Sequence, residues 1–138
     1  MKLLLVVLVA VIILIMICHA DHPETKCRKD VGQEECITHC EYKYYGFTDD
    51  RFRIRKHHRE NFRNVLSHYG AIRKDQENDL IKLLNKCAKK VRESPAKSKR
   101  ERCYKIENYY RCVVVDSNII NYSAYVKAIT KLDNSINV

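Results

Sequence analysis

Apolar and polar positions along this chain recur mostly at helical spacing. No stretch alternates cleanly with period two, so the pattern predicts an all-α fold of about five to six helices. A first helical region is expected over 23–45. Pro23 suits its start, Gly32 divides it, and Gly46 stops it. Residues 51–69 follow, with Phe62, Val65, Leu66 and Tyr69 on one buried stripe and Thr48-Asp49-Asp50 offering the N-cap. Gly70 is placed to end that helix. Residues 75–92 give the clearest helix: Leu80, Leu83, Leu84, Cys87, Ala88 and Val91 face inward, acids open it and bases close it. After a Ser94–Ser98 loop, residues 99–115 turn Cys103, Ile106, Tyr110, Val113 and Val114 inward. Residues 119–132 do the same with Ile119, Tyr122, Val126 and Ile129, and Asp133–Val138 is expected to be a loosely held tail.

The first twenty residues fall outside this pattern. Lys2 precedes an unbroken apolar run, Leu3 to Ile17, and Ala20 precedes Asp21. That is the form of a secretory signal cleaved after Ala20, and the run is short for a membrane span. The expected division is therefore 1–20 signal peptide and 21–138 one helical domain, exported by the cell. Removing the leader takes away Cys18 and leaves six cysteines: Cys27, Cys36, Cys40, Cys87, Cys103 and Cys112. An even number in a small exported chain reads as three disulfides, and spacing alone leaves all 15 pairings open.

Charge changes the picture further. The whole chain carries +9, and loss of Lys2 with the leader makes it +8. Residues 21–50 hold 4 basic and 8 acidic residues, residues 51–105 hold 18 and 6, and residues 106–138 hold 3 of each. Such segregation creates a field that attracts polyanions; the bland alternative is a basic soluble protein without a partner. Two basic tetrads, Lys89-Lys90-Val91-Arg92 and Lys99-Arg100-Glu101-Arg102, place cations at helical positions i, i+1 and i+3. Solvated helix faces look the same. With Lys97 and Lys105, and with a second cluster of Arg51, Arg53, Arg55, Lys56, Arg59 and Arg63, they form the candidate polyanion site. Arginine suits it, since its planar fork donates twice to sulfate or phosphate. The two halves make one site only if the fold brings them together.

Chemistry beyond binding finds little support. There is no G-x-S-x-G, no glycine-rich phosphate loop and no H-E-x-x-H, so no catalytic residue is assigned and the chain is not expected to be an enzyme. His57 and His58 lack partners for a metal, and no cofactor is expected. Asn121-Tyr122-Ser123 is a glycosylation sequon.

The cysteine series, a C-x3-C pair, a single cysteine and a C-x8-C pair, resembles the insect odorant-binding-protein superfamily. That resemblance implies the pairs Cys27–Cys40, Cys36–Cys103 and Cys87–Cys112 and a compact helical domain of that type. The eight residues between Cys27 and Cys36 are fewer than is usual there, so the N-terminal wall of a cavity is expected to be short. The runs Tyr42–Asp49, Arg55–Arg59, Tyr109–Cys112 and Asn121–Tyr125 are similar to the small odorant-binding-like salivary proteins of blood-feeding sand flies. The resemblance implies a secreted salivary anticoagulant that binds sulfated polysaccharide, polyphosphate and other anionic surfaces. It would act on coagulation contact factors indirectly and block contact-pathway activation, with no specific nucleic acid partner. A scavenger of small host mediators (biogenic amines or lipids) is the alternative, its cavity lined by Phe47, Phe52, Phe62 and Tyr110.

Overall fold

The computed structural model describes residues 1–17 and 21–138. The expected cleavage point and Cys18 lie outside the described residues. Among the described residues seven α-helices form: α1 Lys2–Ile17, α2 Pro23–Asp30, α3 Ile37–Tyr44, α4 Lys56–His68, α5 Glu77–Glu93, α6 Lys99–Tyr110 and α7 Tyr122–Ser135. The count exceeds the expected five to six because the apolar leader itself makes α1. Among the described residues there is no strand, and no helix is long and apolar enough to cross a membrane.

Each helix shows its local cause. Pro23 sits in the first turn of α2, where its missing N–H costs nothing. Gly46 and Gly70 follow α3 and α4 with φ of +73° and +72°, a conformation that side chains disfavour. Each turns the chain so that the next residue donates back to the helix: Phe47 N–H to Tyr42 O at 2.8 Å and Ala71 N–H to Leu66 O at 2.8 Å. Glu77 and Asp79 open α5 and Lys90 and Arg92 close it, each suited to the helix dipole. Ser98 caps α6. Its Oγ accepts from Glu101 N–H at 3.1 Å, and the Glu101 carboxylate accepts from Lys97 N–H at 2.5 Å and Ser98 N–H at 3.3 Å.

The interior is aromatic. Phe47 and Phe62 stack at 4.1 Å, and Tyr42 meets both edge-on, at 5.2 and 5.7 Å. The Tyr42 and Tyr125 hydroxyls share a buried hydrogen bond of 2.9 Å. Leu66, Leu80, Leu84, Ile106 and Val113 complete the core.

Among the described residues three disulfides frame it: Cys27–Cys40 joins α2 to α3, Cys36–Cys103 joins the turn before α3 to α6, and Cys87–Cys112 joins α5 to the wide turn after α6. These are the pairs that the resemblance implies. The latter two both bridge the exposed Ser94–Ser98 loop, one cysteine of each lying on either side of it.

Four expectations need correction. Residues 51–55 are not helical. Asp49, expected as a cap, instead clamps a turn there, and α4 begins at Lys56 with Arg55 as its cap. On α6 the inward tyrosine is Tyr109, and the helix gives way to a π turn at Arg111–Val115. On α7 the buried face is Tyr125, Ala128 and Asp133, while Tyr122 and Val126 are exposed. Finally, the C-terminal segment is anchored. Buried Asp133 accepts from Tyr45 Oη at 2.7 Å and Glu24 N–H at 2.8 Å, and Val138 N–H donates to Asp21 O at 3.0 Å.

Candidate functional site

The turn at 49–53 is the local origin of the site. Asp49 Oδ1 accepts from the N–H groups of Arg51 and Arg53, both at 2.9 Å, and Oδ2 accepts from Arg53 Nε at 2.7 Å. Burial alone would raise the Asp49 carboxyl. The hydrogen bonds from Arg53 and Arg51 outweigh it and hold the group below the ordinary range, so it stays ionised. Its charge fixes a turn that carries Arg51, Phe52 and Arg53 at the surface. His58 then anchors the start of α4, its Nδ1 accepting from Arg55 N–H at 3.0 Å. Burial and the neighbouring His57 lower the His58 pKa, which keeps the ring neutral for that role.

Opposite this segment stand α5 and α6. Together they enclose a cleft of about 490 Å³ whose lining includes Arg51, Arg53, Arg55, Lys56 and Arg59 from one side and Arg92, Arg102 and Lys105 from the other. Among the described residues no carboxylate lines it. Arg53 is paired with Asp49, and Lys56 with Glu60 at 3.6 Å; among the described residues the other six cations have no ion-pair partner. Arg59 clasps both walls, donating to Asn85 Oδ1 on α5 at 2.7 Å and to Ile54 O at 3.0 Å. The floor is apolar: Phe52, Ile54, Ala88 and Val91.

The two candidate clusters are thus brought together, though not in full. Arg63 lies in an adjoining hollow shared with Lys56 and Arg59. Lys99 lies in another, shared with Phe52 and Arg102. Both hollows also hold carboxylates, Glu60 in the first and Asp30 and Asp50 in the second, so the cationic run from Arg63 to Lys99 is free of lining carboxylates only in the cleft itself. Lys89 is drawn to Glu93 at 3.9 Å, Arg100 pairs with Glu35, and Lys90 and Lys97 line none of these hollows. Each basic tetrad contributes one cation to the cleft, Arg92 or Arg102. An apolar floor beneath the basic cluster is not expected from the sequence, where Phe52 and Ile54 read as helix residues and Phe52 is placed only in a mediator cavity with Phe47, Phe62 and Tyr110.

A separate cleft of about 280 Å³ involves α2, α3 and α7 and is rich in tyrosine, with Tyr42, Tyr45, Tyr110, Tyr122 and Tyr125 around Glu41. Of the aromatics expected to share one cavity, Phe47 and Phe62 are buried in the core, Phe52 lines the cationic cleft, and Tyr110 lines this one. Burial, reinforced by the Glu24 carboxylate, pushes Glu41 up to about 7. A carboxyl raised in the fold favours folding while it is protonated. That contribution is complete below the ordinary Glu range and is lost as pH rises through about 7. Glu41→Gln is accordingly expected to raise Tm at pH 8 by about 4 °C, or about 1 kcal/mol after discounting for solvent screening, and to change it little at pH 4. Thermal melts at the two pH values check this; an equal shift at both would refute the assignment.

Asn121 is exposed, and its Oδ1 caps α7 by accepting from Ala124 N–H at 3.1 Å. Among the described residues no group of His, Cys, Asp or Glu is arranged to hold a metal ion.

No family model matches the chain. It is 35% identical over 143 aligned positions to Salivary protein 15a of Phlebotomus duboscqi and 34% identical to Salivary protein 15b of the same species, each alignment covering both chains in full. It is also 36% identical over 134 positions to Ayaconin of Lutzomyia ayacuchensis, covering 96% of this chain and 91% of that one. With identity at this level along the whole length, the chain belongs to the family of sand fly salivary proteins that includes Salivary protein 15a, Salivary protein 15b and Ayaconin, and it is secreted into saliva.

Proposed function

We propose that this protein is a non-enzymatic salivary anticoagulant that binds anionic polymers and surfaces. It covers sulfated polysaccharide, polyphosphate or another activating surface, excludes the clotting factors that would assemble there, and so blocks the contact pathway. One observation carries the reading: eight cations from two distant chain segments line a single cleft that contains no carboxylate. Among the described residues six of them have no ion-pair partner, and one of these, Arg59, is already held in place by hydrogen bonds. The driving force is counterion release with charge attraction. The first-with-third, second-with-fifth and fourth-with-sixth cysteine pairing supports membership of the odorant-binding superfamily. Close packing of Phe47 on Phe62 favours surface binding over capture of a mediator in one enclosed cavity.

Eight contacts on a linear polyanion give a log–log salt slope of about −6. Heparin affinity measured across about 50 to 500 mM salt is expected to follow that slope. Clotting triggered by an anionic surface is expected to be prolonged, and clotting triggered by tissue factor left unchanged. Affinity that stays flat with salt, or equal prolongation in both assays, overturns the reading.

A further inference from the structure

A polymer that needs only cations leaves half of this cleft unused. Phe52 occupies its apolar floor in a conformation that the chain does not choose locally. Its φ is 60°, and no other non-glycine residue among those described has positive φ. Glycine adopts such backbone freely, whereas a bulky aromatic residue there is a marked outlier. Such outliers persist where surrounding structure over-determines them, and they cluster at ligand contacts. Here the over-determination is visible. Besides the three bonds to the Asp49 carboxylate, Phe52 N–H donates to Asp49 O at 3.0 Å and Thr48 Oγ donates to Arg53 O at 3.1 Å. The ring is half-buried. It stacks on His39 at 3.8 Å and has the Arg102 guanidinium 5.5 Å from its centre. Ile54 and Val91 continue the apolar floor.

We infer that the cleft takes a free amphipathic anion, a sulfate or phosphate bearing a single apolar chain, with the anionic group among the arginines and the chain laid on Phe52. This rests on reading the cleft as an anion site and names a further ligand class for it. A volume near 490 Å³ suits a small molecule, which would fill it and compete with polymer.

The test titrates the protein calorimetrically with decyl sulfate below its aggregation concentration, with inorganic sulfate and with uncharged decyl maltoside. Decyl sulfate is expected to bind about a hundredfold tighter than sulfate, the gain from burying three or four methylenes at a factor of about four each. Decyl maltoside should not bind measurably. Phe52→Gly relieves the backbone and removes the ring; it should weaken decyl sulfate at least tenfold while heparin affinity stays within threefold, Ile54→Ser serving if the glycine variant does not fold. Decyl sulfate no tighter than sulfate, binding of the uncharged detergent, or a silent Phe52→Gly overturns the inference. Wild-type protein that binds heparin but not decyl sulfate sinks this inference alone, and the reverse result sinks only the polymer reading. Adsorption to phosphatidylcholine vesicles containing phosphatidylglycerol should survive Phe52→Gly. Loss of it there would transfer the site from a free single chain to a bilayer.

Discussion

Replacing Arg51, Arg55, Arg92 and Lys105 together with glutamine should lower heparin affinity about a hundredfold at about 150 mM salt and halve the salt slope from about −6 to about −3. These four line the cleft, and among the described residues their side chains make no hydrogen bonds or ion pairs, so the loss reads binding rather than stability. Each anionic group engaged releases about 0.7 of a counterion, a factor of about four at that salt, and four such factors multiply to more than a hundred. The control is Lys74, Lys82, Lys127 and Lys131 changed to glutamine. It removes the same charge from exposed positions outside the cleft and is expected to cost less than about fivefold, because a screened field falls away within roughly 10 Å. Affinity chromatography and calorimetry across salt measure both. Equal losses in the two variants would mean that net charge, not the cleft, does the binding.

The second large effect concerns the frame. Cys36→Ala with Cys103→Ala removes the cross-link with the longest span, 67 residues, against 25 and 13 for the others. Chain entropy released to the unfolded state scales with that span and gives a loss of about 4 kcal/mol, lowering Tm by about 15 °C. Arg102, next to Cys103, then sits on a helix no longer tied to the turn before α3, so heparin affinity should fall as well. Denaturant unfolding of the oxidised proteins measures the cost. A loss under about 1 kcal/mol would show that packing alone holds the turn before α3 against α6.

Much of this could be read from the chain. The absence of period-two alternation marked it as helical, Gly46 and Gly70 stopped helices where expected, and the cysteine series implied the pairing found. The failures have particular causes. Asp49 suits an N-cap and a turn clamp equally well, and the choice depends on where Arg51 and Arg53 present their N–H groups. Nothing in the residue type of Phe52 signals a left-handed backbone, so 51–55 read as helix. On α7 two apolar faces compete, Tyr122 with Val126 and Tyr125 with Ala128. Tertiary partners decide between them: the Tyr42 hydroxyl meets Tyr125, and Tyr45 meets Asp133. Two of the tetrad cations are drawn to Glu93 and Glu35, and neither pairing is visible from the tetrads alone.

The exposed Ser94–Ser98 loop, which contains Lys97 and is followed by Lys99, is open to proteases that cut after lysine. A wound contains such enzymes. A cut there would sever the peptide connection between Arg92 on one wall and Arg102 on the other. It would not separate them, because Cys36–Cys103 and Cys87–Cys112 both span the break and hold the two fragments as one particle. The nicked protein is expected to keep its cleft until its disulfides are reduced, so cleavage in this exposed loop leaves the cleft intact.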